Sequence, residues 1–74
     1  MYTVTFYPKP NNYFPDEFEI STDGYAIVVN GVVEIRADET QAIVVNGVVE
    51  IRADETQYFN LSDFYNVTIE FKGE

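Results

Sequence analysis

Cysteine, histidine and tryptophan are all absent from this 74-residue chain, and only four lysines and arginines stand against thirteen carboxylates. Without thiol or imidazole there is no disulfide, no thiolate or imidazole metal ligand, and no Cys/His or Ser/His catalytic pair. No apolar run approaches the roughly 18 residues of a membrane-spanning helix, and Met1 leads directly into YTVTFY without a signal-peptide pattern. A cytoplasmic location is therefore expected. The shortage of basic side chains leaves a net charge of −9, which repels phosphate backbones and anionic lipid surfaces. Direct contact with nucleic acid or membrane is not expected. A single domain over residues 1–74 is small enough that its core yields only about 3–5 kcal/mol, the size range in which oligomerisation commonly helps.

What the chain does have is a perfect tandem repeat. Residues 26–41 read AIVVNGVVEIRADETQ, and residues 42–57 read the same sixteen letters with no spacer. Surface-type positions match as well as apolar ones: Asp38 with Asp54, Glu39 with Glu55, Thr40 with Thr56. Identity where packing does not dictate the residue points to a fresh event, by DNA duplication or by design. Each copy carries a charge of −2, from Glu34, Arg36, Asp38 and Glu39 in the first, so removing one leaves a 58-residue chain of charge −7. The acidity belongs to that shorter parent.

Within each copy an Asn-Gly pair divides two β-branched runs, Asn30-Gly31 in the first and Asn46-Gly47 in the second. This is the signal of a two-residue type I′ hairpin, whose central residues must both tolerate positive φ. The turn sets the register: Val29 faces Val32, Val28 faces Val33, Ile27 faces Glu34 and Ala26 faces Ile35. One face, Ala26, Val28, Val33 and Ile35, is then wholly apolar, and the other mixes Ile27, Val29 and Val32 with Glu34 and Arg36. With residues 38–41 as connector, Ala37 is expected opposite Ala42 and Ile35 beside Val44. The second hairpin would then continue the same sheet with the same face inward, displacing the downstream strand by two strand spacings, about 9–10 Å.

Around the repeat, Tyr2, Val4 and Phe6 alternate with Thr3, Thr5 and Tyr7 as in a half-buried strand, and Phe18 and Ile20 suggest a second. Residues 8–15 hold three prolines and should form a loop with Tyr13 and Phe14 against the core. Ser21-Thr22-Asp23-Gly24 reads as a turn. Residues 58–65 are aromatic-rich without strict alternation, and Asn60 can cap one helical or 3₁₀ turn. Val67, Ile69 and Phe71 end the chain as a strand. The expected fold is mainly β: seven strands in a small antiparallel meander sheet or partly open barrel, with a duplicated hairpin and at most one short helical turn.

Candidate chemistry is sparse. Asp16, Glu17, Glu19 and Asp23 could offer oxygens to calcium, but their spacing lacks the alternation and glycine of a DxDxDG loop, so solvated carboxylates are the preferred reading. Glu34 and Glu50 could imitate a two-carboxylate hydrolase, yet Arg36 and Arg52 beside them favour cross-strand ion pairs. No catalytic, cofactor or metal residues are assigned. Six tyrosines and six phenylalanines suit a ring-filled core, with some tyrosines lining a contact surface. The interface candidates are Tyr7, Tyr25, Val29, Val32, Val45, Val48 and Tyr58. These features lead to a non-enzymatic acidic β protein, a hairpin-duplication variant that acts through protein binding or self-association at sheet edges or an exposed apolar face. The alternative is a phage-like acidic mimic of nucleic acid, occupying the basic groove of a nucleic-acid-handling protein.

Overall fold

The computed structural model describes residues 1–10, 14, 16–52 and 54–72, with Arg52 in its backbone only. Among the described residues there are eight strands: β1 Tyr2–Pro8, β2 Phe18–Thr22, β3 Tyr25–Val29, β4 Val32–Ala37, β5 Gln41–Val45, β6 Val48–Arg52, β7 Glu55–Asn60 and β8 Phe64–Phe71. A 3₁₀ turn, Leu61–Asp63, precedes β8, with Asn60 at its N-cap position but no side-chain capping bond. The strand beyond the expected seven is β7. Its first residues, Glu55-Thr56-Gln57, were expected to be connector, and they become strand because the unpaired edge of β4 lies alongside them.

All strand pairs are antiparallel, but they form two sheets rather than one meander and do not close into a barrel. The five-stranded sheet runs β6-β5-β2-β1-β8 and the three-stranded sheet β3-β4-β7. The core lies between them, with Val4, Phe6, Phe18, Ile20 and Phe64 from the larger sheet meeting Ala26, Val33 and Ile35 from the smaller. Alternation explains which residues go in: β4 buries every second residue, Val33, Ile35 and Ala37. Phe6 is the hub of the ring cluster, with centroids 4.6 Å from Phe18, 4.7 Å from Phe59 and 5.0 Å from Phe64. Phe14 is half-buried against this cluster; Tyr13 lies outside the described residues.

The two identical hairpins therefore part company. The expected pairing of Ala37 with Ala42 does not form; β4 takes β7 as its neighbour, and β5 crosses to pair with β2. Facing also changes. Since Phe18, Ile20 and Thr22 pair with Val45, Ile43 and Gln41, the inward side of copy two is Gln41, Ile43 and Val45. Its wholly apolar side, Ala42, Val44, Val49 and Ile51, is turned outward, beside Ser21 and Glu19. A one-residue shift in phase exchanges the two faces of a strand, and the crossing between sheets supplies that shift. The cost is visible at Gln41, which is fully buried with neither amide atom hydrogen-bonded.

A polar corner holds the crossing in place. Asp23 accepts backbone N–H bonds from Asp38 and Glu39 on one carboxylate oxygen and from Glu39 and Thr40 on the other, at 3.0–3.2 Å. The fully buried Thr22 hydroxyl donates to the Arg36 carbonyl at 2.7 Å. Gly24 passes so close to that carbonyl that a Cβ would lie 2.1 Å from its oxygen. Together these contacts turn residues 38–40 away from a hairpin onto β4 and toward the edge of β2.

Candidate binding surface

Both Asn-Gly turns use left-handed backbone, with φ of 51° and 74° at Asn30 and Gly31 and of 51° and 77° at Asn46 and Gly47. Their anchors differ. The Gly31 carbonyl accepts from the Leu61 N–H at 2.9 Å, whereas the Asn46 amide donates to Asp16 at 3.1 Å. Copy one is thereby tied to the 3₁₀ turn beside the core, and copy two to a surface loop.

Exposure follows the same division in the second strand of each copy and the reverse in the first, where Val28 is 49% exposed and its counterpart Val44 half-buried. Val33 and Ile35 of copy one are 0% exposed, while their counterparts Val49 and Ile51 are 57% and 64% exposed. Among the described residues, strand β6 stands at the edge of its sheet with β5 on one side only. In a two-residue hairpin the residues flanking the turn exchange hydrogen bonds, so the N–H and C=O groups of Val49 and Ile51 point away from β5. The same groups of Val33 and Ile35 in β4 point toward β7, which pairs with them through Phe59 and Gln57. β6 thus repeats the sequence and the bonding edge of a strand that takes a neighbour inside this molecule.

The sequence-derived interface residues do not gather on one surface. Tyr25, Val29, Val32 and Tyr58 share the outer face of the three-stranded sheet, around Glu34. Tyr7 stands on the outer face of the larger sheet, opposite Asn66. Val45 packs against the core, and Val48, its cross-strand neighbour, is 70% exposed on the edge strand. Ala42, Val44, Val49 and Ile51 were not among those candidates, because an in-phase meander assigns them to the core.

The Tyr25 hydroxyl donates to Glu34, and this bond to a carboxylate pushes the phenol above its ordinary value, helped by lost solvation and the Glu34 charge. Arg36 does not pair with Glu34. Its guanidinium lies 2.6 Å from Asp54 and 3.8 Å from Asp38, and donates to the Thr56 hydroxyl at 3.2 Å. Asp54 reaches it from the connector of copy two, with φ of 50°. Half-exposed or exposed pairs of this kind contribute about 0–1 kcal/mol.

Of the acidic cluster considered for calcium, Asp23 gives both oxygens to backbone N–H groups and Asp16 accepts from Asn46. Among the described residues no group of three or more His, Cys, Asp or Glu side chains could hold a metal ion. Nor is any helix among them long and apolar enough to cross a membrane. No protein-family model, curated protein or solved structure matches the chain.

Proposed function

We propose that this chain is a non-enzymatic, acidic β protein that acts by binding protein at a sheet edge, self-association included, and that it is a hairpin-duplication variant of a 58-residue parent. The observation that carries the binding reading is the free edge of β6, whose sequence is that of β4 and whose Val48, Val49 and Ile51 are exposed. An extended segment adds to such an edge through main-chain hydrogen bonds, with alternate side chains giving selectivity. The segment β4 takes is β7, residues 55–60, so a strand of that kind suits β6 as well.

The duplication reading is supported by chain arithmetic. Removing residues 42–57 brings Glu39-Thr40-Gln41 up against Tyr58, letter for letter where Glu55-Thr56-Gln57 now stand. β7 is thereby rebuilt, and Arg36 would face Thr40 across a three-residue loop, a common hairpin length.

The test is an NMR titration with a peptide of residues 55–60, taken to millimolar concentration against the full chain and against the one-copy chain. Saturable shifts at the Val49 and Ile51 amides of the full chain, absent from the shorter one, are expected. Equal or absent responses in the two chains would remove the edge as a binding element.

A further inference from the structure

Strand β5 holds the position that a hairpin from β2 would give to β3. A two-residue turn at Asp23-Gly24 would set Thr22 opposite Tyr25, Ser21 opposite Ala26, Ile20 opposite Ile27, Glu19 opposite Val28 and Phe18 opposite Val29. The partners β2 takes are Gln41, Ala42, Ile43, Val44 and Val45, each sixteen residues further along. We propose that the chain has a second folded arrangement in which the two copies exchange places: copy one extends the larger sheet from β2, and copy two closes the core.

The other end of the exchange is equally matched. β7 pairs with β4 by setting Thr56 opposite Arg36, Gln57 opposite Ile35 and Phe59 opposite Val33. Moved along by one repeat, those partners are Arg52, Ile51 and Val49, reached through a three-residue loop between Arg52 and Thr56, a common hairpin length. The strand orders become β4-β3-β2-β1-β8 and β5-β6-β7, with every pair still antiparallel. At present β2–β3, β4–β5, β6–β7 and β7–β8 all change sheet; after the exchange only β4–β5 and β7–β8 would. The new bridge from β4 to β5 stays at one corner. Gln41 pairs with both Arg52 and Thr22, and the Thr22 hydroxyl bonds to the carbonyl of Arg36, which faces Tyr25. Residues 37–40 supply five peptide steps across it, a reach of about 17 Å.

Turn chemistry and facing agree with the exchange. Asp-Gly is a preferred pair for a type I′ turn, yet neither Asp23 nor Gly24 has positive φ in the present arrangement. Phe18, Ile20 and Thr22 are buried, so Tyr25, Ile27 and Val29 would face inward beside them. Val33 and Ile35 would then turn outward, as Val49 and Ile51 do now. Tyr25 would also replace Gln41, whose buried amide is unpaired. Against this, the exchange gives up the Asp23 bonds to residues 38–40 and the Thr22 bond to Arg36, and these keep it the minor arrangement. Either copy leaves the sequence VVEIR on the free edge, so the exchange is independent of whether that edge binds.

A charge on the core side of copy one tests the proposal. Ile35→Lys puts an ammonium at a 0% exposed position in the present arrangement, and at the place of the 64% exposed Ile51 in the exchanged one. The full-length variant should give a cooperative thermal transition by circular dichroism. Its NMR spectra should show cross-strand contacts of Ile51 with Gln57, Val49 with Phe59 and Ile20 with Ile27, in place of Ile35 with Gln57, Val33 with Phe59 and Ile20 with Ile43. The double variant Ile35→Lys/Ile51→Lys, charged on the core side of both copies, should lose the transition. An unfolded single variant, a folded one that keeps β4 beside β7, or a folded double variant overturns the proposal.

Discussion

At the scale of single residues, two polar side chains report on the crossing between sheets. Gln41 is fully buried with both amide atoms unpaired, and an unsatisfied buried polar group costs about 1–3 kcal/mol. Gln41→Met keeps the length of the side chain and removes the unmet hydrogen bonds. Chemical denaturation should show the variant more stable by about 1–2 kcal/mol. Asp23 makes the opposite case, since nearly all its bonding capacity is used. Lost solvation pushes its carboxyl up, but the N–H groups of Glu39, Thr40 and Asp38 and its own outweigh this and hold it below the ordinary 3.8. A carboxyl lowered in the folded state adds stability that is complete above its unfolded value and vanishes as pH falls through the folded one. Asp23→Asn should therefore be less stable than the unsubstituted 74-residue chain at neutral pH, and urea midpoints measured down to pH 2 should converge. A gap that stayed constant with pH would mean the charge contributes nothing.

At the scale of elements, one sixteen-residue sequence occupies two environments. Local propensity is the same in both copies, so any difference in energetic role comes from packing. Ile35→Ala removes fully buried methyl groups and should cost about 2–5 kcal/mol. Ile51→Ala, at a position 64% exposed, should stay within about 0.5 kcal/mol. Paired urea denaturation curves check the asymmetry. Equal costs would mean that the copies exchange places, each spending comparable time over the core. Hairpins and turns were legible in the sequence because Asn-Gly and the flanking β-branched runs act over a few residues. Strand β7 was not, because Glu55-Thr56-Gln57 has the composition of a connector and becomes strand through an edge that β5 leaves open by crossing away.

At the scale of the whole molecule, the second copy is an addition to the edge of a two-sheet body. The fully buried apolar residues Val4, Phe6, Ile20, Val33, Ile35 and Ala37 all lie outside it, and Ile43 and Val45 contribute only partly buried surface. The one-copy chain, residues 1–41 joined to 58–74, is therefore expected to fold cooperatively into sheets β2-β1-β8 and β3-β4-β7. Thermal unfolding by circular dichroism should give a single transition. Loss of the transition would show that the added hairpin is part of the folding unit. The new chain loses the Asp23 clamp in its present form, since residues 39–41 are drawn into strand, and this makes its acid sensitivity a second readout.

The sequence by itself determined the strand-forming segments, the hairpin registers, the lone helical turn, the acidic charge and the apolar side of each hairpin. All of these depend on side-chain period, turn chemistry and composition, which act over distances of a few residues. Only the tertiary structure decided which sheet each copy joins and which way it faces. Identical sequences carry no information that could separate the two copies. The choice is made by what lies around them: the Asp23, Thr22 and Gly24 corner that turns residues 38–40 aside, the open edge of β2 that receives β5, and the single core that one apolar side alone can close.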